Sequence, residues 1–180
     1  MSRAASTASL RTRLRRFRRS RRGSAAVEFA LVAPVFFALL FAIIETAIVF
    51  LASQVLETIT SDSARLIMTG QAQTAAMDQA TFKNVVCAHI PALFTCGNIY
   101  VDVQSYPTFA NVTLSSPIDA GGNCSPPNNY SPGGPGDIVV VRLFYQWPLF
   151  VTGLGYNISN CTGSKRLLTA TAAFKNEPYN

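Results

Sequence analysis

Between Phe29 and Ile44 the chain passes through 16 consecutive apolar residues. The apolar character extends from Ser24 to Ala52, broken only by Glu28, Glu45 and small hydroxyl residues. At about 1.5 Å per helical residue, Phe29 to Ala52 reaches roughly 36 Å, enough to cross a hydrocarbon core of about 30 Å. This segment therefore reads as a membrane-spanning helix. A cleaved secretory signal has a shorter apolar core that ends at a small-residue site, whereas here the apolar stretch runs directly into an amphipathic pattern.

Charge is segregated along the chain. Residues 1 to 22 hold nine arginines and no acid, while the remainder carries six basic against nine acidic side chains, a net of −3. The overall +6 thus belongs to the tail. Arg65 is the first basic residue beyond the apolar segment, so the positive-inside bias keeps the tail in the cytoplasm and exports the body. Cys87, Cys96, Cys124 and Cys161 then lie in a compartment that permits disulfides. Four cysteines allow three pairings. Cys87 with Cys96 and Cys124 with Cys161 is the favoured one: the first closes a short loop, and the second ties a Pro/Gly/Asn-rich excursion to another loop.

Beyond the membrane segment, Gln54 to Gly70 keeps helical spacing. Val55, Leu56, Ile59, Ser63, Leu66 and Ile67 fall on one side and Glu57, Asp62 and Arg65 elsewhere, which predicts a stalk ending at Gly70. A second helix is expected from Asp78 to Ile90, closed by Pro91. Alternating or β-branched runs then predict four strands, at Ile99–Tyr106, Phe109–Leu114, Asp137–Trp147 and Leu167–Lys175. Ser115 to Gly136, rich in Pro, Gly and Asn, reads as a long connection. The expected class is α+β: a transmembrane helix continuing into a stalk, with a small antiparallel sheet packed on it. The expected division is a basic cytoplasmic leader over 1–23, a transmembrane helix over 24–53 and a periplasmic domain over 54–180.

The residues that point to function straddle the tail and the apolar segment: Arg21-Arg22-Gly23-Ser24-Ala25-Ala26-Val27-Glu28-Phe29. Glycine presents no side chain to a protease at the scissile bond, and the arginines hold that bond at the membrane surface. A carboxylate such as Glu28 at the edge of a membrane helix is costly unless paired. The string resembles the cleavage site of type IV prepilins and pseudopilins, in which a basic leader ends in glycine and glutamate is fifth in the mature chain. Glu28 is fifth after Gly23.

The longer run Arg22-Gly-Ser-Ala-Ala-Val-Glu-Phe-Ala-Leu-Val-Ala-Pro34, followed by Ile43-Ile44-Glu45, resembles the TadE-like family more closely than the major pilins. The final stretch from Leu168 to Tyr179 also resembles the way such proteins often end. The resemblance implies a minor pilin-like component of the tight-adherence (Tad/Flp) pilus machinery in the bacterial inner membrane. It implies cutting by a prepilin peptidase between Gly23 and Ser24, and packing against other pilin-like subunits through Glu28, Phe29 and Glu45. For Glu45 a plain position at the outer interface is the simpler reading.

Other chemistry is sparse. His89 is the only histidine, and neither G-x-S-x-G nor H-E-x-x-H accompanies it. Cys87-x-His89 with Cys96 has no known zinc spacing, and the compartment favours disulfides. Asn111, Asn157 and Asn160 head glycosylation-type triplets that carry little weight in a bacterium. Nucleic-acid binding through the arginine tail is disfavoured, since the adjoining helix already accounts for those arginines and only Phe17 supplies an aromatic side chain among them. The expectation is a structural, non-enzymatic protein with no catalytic residue, cofactor, metal or small-molecule substrate. The alternative is an uncleaved, membrane-tethered periplasmic binding module.

Overall fold

From Arg21 the chain is helical for 48 residues, through Met68 (α1, Arg21–Met68). The computed structural model describes residues 21–90, 92–152 and 155–179, so residues 1–20 of the expected leader, and Pro91 as the expected helix stop, lie outside the described residues. Pro34 sits inside α1 without ending it, as membrane helices allow when neighbouring groups satisfy the freed carbonyl. After α1 come α2 (Gln71–Thr74), α3 (Gln79–Ala88), β1 (Ile99–Tyr106), β2 (Ile138–Pro148) and β3 (Lys165–Lys175). The three strands form one antiparallel sheet in the order β1-β2-β3. The class is α+β.

The chain divides into two compact units, one up to Ile44 and one from Glu45 onward. In the first, α1 turns its large apolar side chains outward, Phe29, Leu31, Phe36 and Leu39 among them. Along the helix the Phe36 and Phe37 rings meet edge to face with centroids 5.5 Å apart, and Phe37 stacks on Phe41 at 6.3 Å. Between Ala25 and Met68 the helix is long and apolar enough to cross a membrane.

In the second unit the amphipathic spacing decides which face of α1 is covered. Leu56, Ile59, Ser63 and Ile67 are buried, whereas Glu57, Asp62 and Arg65 are exposed. The buried Thr60 hydroxyl is satisfied by the Leu56 carbonyl one turn back, at 2.7 Å. This stripe shares one core with Phe82 and Val86 of α3 and with the alternate residues Val101, Val103, Val139, Val141, Leu143, Leu168 and Ala170 of the sheet. Asp78 caps α3 by accepting from the Thr81 N–H at 2.8 Å. Those bonds from Thr81, its hydroxyl first and its N–H second, hold the Asp78 carboxyl below the usual aspartate range.

Gly70 ends α1 in the left-handed region at φ 75°, which glycine alone enters without cost. A Cβ at that position would overlap the Tyr179 ring. The C-terminal segment lies here because Glu177 N–H donates to the Met68 carbonyl at 2.9 Å and the Tyr179 hydroxyl to the Gly133 carbonyl at 3.3 Å.

The second face of the sheet is covered by loops. Phe144, Cys161 and Leu167 form a small apolar cluster there, with Tyr100, Ile118 and Cys124 packed against it. Disulfides join Cys87 to Cys96 and Cys124 to Cys161, with Cα separations of 5.6 and 5.5 Å. Buried beneath these loops, Asp102 pairs with Arg142 and also accepts from Asn129 and Gln104 side chains at 2.9 to 3.0 Å.

One expected strand does not form. Phe109–Leu114 begins with a 3-10 turn at Phe109–Asn111, and both Phe109 and Leu114 are exposed. The sheet edge it would need is taken: Val103 N–H donates to the Asn129 carbonyl and its own carbonyl accepts from Ser131 N–H, each at 2.8 Å. The connection Ser115–Gly136 is therefore more than a linker, since it closes the β1 edge.

Candidate functional site

Two parts of α1 carry the residues singled out by the sequence. At the N-terminal end, Gly23 falls in the first turn of the helix, and a Cβ there would meet nothing within 4 Å. Glu28 and Phe29 are both exposed on the same helix. The side chain of Ser24 lies outside the described residues. This end presents an open glycine followed by an outward carboxylate and an outward ring, an arrangement that leaves all three positions available to another molecule.

Glu45 is different in kind. It is only 7% exposed, and its carboxylate holds the chain just after β2. Phe150 N–H donates to Oε1 at 2.5 Å, and Val151 N–H donates to both oxygens at 3.2 Å. On the next helical position, the Thr46 hydroxyl is hydrogen-bonded to the Tyr156 hydroxyl. Both Glu45 oxygens are thus engaged by the chain's own backbone. Sequence reasoning did not find Phe150, Val151 or Tyr156. The available signal was the apolar run Leu149-Phe-Val151 in a stretch, residues 149 to 164, without a charged side chain.

Elsewhere, an open cleft of about 520 Å³ is lined by Thr95, Asn98, Tyr100, Tyr145, Gln146, Pro148 and Lys165. Within it the Lys165 ammonium donates to Gln146 Oε1 at 3.3 Å, and the Tyr145 hydroxyl accepts from Thr95 N–H at 3.4 Å. His89 caps α3 on its surface with Nδ1 2.9 Å from the Val85 carbonyl. Among the described residues no group of three His, Cys, Asp or Glu side chains is placed to hold a metal ion.

Residues 23–65 match the family model described as TadE-like protein. No curated protein and no solved structure matches the chain. The matched span begins at Gly23 and takes in Glu28, Glu45 and most of the amphipathic stripe of α1, so over residues 23–65 the chain is similar to the TadE-like family.

Proposed function

We propose that the chain is a membrane-anchored, pilin-like structural component of a Tad-type pilus, matured by a prepilin peptidase at Gly23. The family match over residues 23–65 carries this reading, because it begins at the glycine after which the peptidase would cut. Three further observations support it. α1 is long and apolar enough to cross a membrane, both disulfides suit an exported domain, and Glu28 stands exposed five residues after Gly23.

In this reading the arginine tail stays in the cytoplasm and holds the scissile bond at the inner-membrane surface. After cleavage the new amino group of Ser24 and the Glu28 carboxylate of a neighbouring subunit form a pair, each offsetting the other's cost at the membrane edge. Phe29 packs alongside. The exported domain contacts other pilus components and performs no catalysis.

Intact mass of the protein purified from its own membranes tests this directly. The expected species lacks residues 1–23 and contains two disulfides. Replacing Gly23 with Leu should leave the leader attached. Because a Cβ there meets nothing within 4 Å among the described residues, failure to process points to the peptidase, and circular dichroism of the variant checks that it is folded. Glu28→Ala should still be cut but associate more weakly. Wild-type protein that keeps its arginines in a strain containing the matching peptidase would replace this reading with the tethered binding module.

A further inference from the structure

We infer that the segment following β2 is a second membrane contact, in which Phe150 and Val151 enter the acyl–headgroup boundary beside the anchor helix. This rests on the reading of α1 as membrane-spanning. Phe150 is 85% exposed, more than any other large apolar side chain among the described residues. It is nevertheless not held loosely. Leu149 before it is buried and donates its N–H to the Ser164 carbonyl at 2.9 Å, and the next two N–H groups are gripped by Glu45. The ring is therefore fixed in the open at the level of Glu45.

The helix at that level is also apolar on its outer side. Ile48, Phe50 and Leu51 are 39%, 68% and 56% exposed, while Val49 and Ala52 turn into the core. At about 1.5 Å rise per residue, Leu51 stands roughly 9 Å farther along the helix than Glu45. A bilayer deep enough to cover Phe50 and Leu51 thus covers Phe150 as well. Residues 149 to 164 contain no charged side chain to resist this, and Tyr156, hydrogen-bonded to Thr46, has the amphipathic ring favoured at membrane interfaces.

The Glu45 contact makes the turn fit to face lipid. Irregular backbone in water needs no partner, because water satisfies its N–H groups. At membrane depth those groups must be satisfied by the protein, and a carboxylate there is equally in need of donors. Glu45 and the N–H groups of Phe150 and Val151 meet both needs at once, which is the arrangement a lipid-facing turn requires.

Depth-dependent quenching by brominated phosphatidylcholine tests the inference on the full chain reconstituted in vesicles. Single-tryptophan variants are made in a Trp147→Phe background, with Phe150→Trp as the probe. Phe36→Trp reports on the anchor. Phe109→Trp is the control, since it follows the end of β1 that pairs with Ile138, the far end of β2 from Phe150. Circular dichroism and non-reducing mobility confirm that each variant is folded. The expected result is quenched, blue-shifted emission at positions 150 and 36 and neither at 109, with Glu45→Ala reducing quenching at 150 alone. Quenching at 36 without quenching at 150 overturns the inference and leaves the anchor intact. Blue-shifted but unquenched emission at 150 assigns the surface to a second copy of the chain and overturns the lipid contact. Absence of quenching at both positions removes the anchor reading and this inference with it.

Discussion

Asp102 and Arg142 face each other in register across β1 and β2, and the guanidinium closes on a single carboxylate oxygen with Nε at 3.0 Å and Nη2 at 2.7 Å. The third guanidinium nitrogen, Nη1, donates to the Ser115 carbonyl at 3.0 Å, and the group lies 5.2 Å from the Phe144 ring centroid. The pair thus fastens the covering loop to the sheet as well as one strand to the next.

Removing one partner of that pair should be far worse than removing both. Arg142→Met leaves a buried carboxylate with its charge unanswered, at an expected cost of about 3 to 5 kcal/mol. The double variant Asp102→Val with Arg142→Met should recover most of that loss. Chemical denaturation of the full chain in micelles, followed by circular dichroism, gives both values. A double variant no more stable than the single one would show that the loop contacts, and not charge balance, dominate.

The two disulfides should differ in worth because they close loops of different length. By chain entropy alone, a separation of 9 residues for Cys87–Cys96 corresponds to roughly 2.5 kcal/mol, and one of 37 for Cys124–Cys161 to roughly 4 kcal/mol. Paired Cys→Ser variants measured in the same denaturation assay should keep that order. The reverse order would place the stabilisation in native packing around Cys87.

Tyr130 should set an alkaline limit on stability. Its hydroxyl is buried without a hydrogen-bond partner among the described residues. Burial first, and the nearby Asp78 charge second, push its pKa above the ordinary 10.0. A phenol whose folded pKa is raised stabilises the fold below its unfolded pKa, and that contribution is lost as pH rises through the folded value. Stability should therefore fall from about pH 10 upward, and Tyr130→Phe should fall less steeply over the same range. Parallel curves for the two proteins would remove Tyr130 as the cause.

Gly70 and Tyr179 should prove coupled. Gly70→Ala forces an alanine to φ 75° and drives its methyl into the ring, so a loss of more than about 1 kcal/mol is expected. Adding Tyr179→Ala removes the overlap but not the backbone cost. The double variant should then lose less than the two single losses combined, a result that simple additivity would contradict.

Elements set by local periodicity were legible in the sequence. The buried stripe of α1, its stop at Gly70 and the start of α3 at Asp78 each follow from side chains within one or two turns. Strands β1, β2 and β3 announced themselves through β-branched runs, but alternation at Phe109–Leu114 gave no sign that its partner edge was occupied. That edge is closed through the backbone of Asn129 and Ser131, and backbone pairing leaves no pattern in side-chain type. The same reason hid the Glu45 contact, where the donors are main-chain groups 105 and 106 residues away. The reading of Gly23 and Glu28 rests on a spacing within one short stretch, which is why it could be made without the fold.

The fastening of Glu177 and Tyr179 onto the end of α1 has a consequence for biogenesis. For a chain delivered across the membrane in N-to-C order, the helical stripe from Leu56 to Ile67 emerges first and waits uncovered while more than half the protein is still being threaded. The contacts at its end, on Met68 and Gly70, arrive with Glu177 and Tyr179. A chain clipped a few residues short would therefore keep its core but lose the fastening at the end of α1, leaving the Met68 carbonyl without the Glu177 N–H and Gly70 without the Tyr179 ring over it.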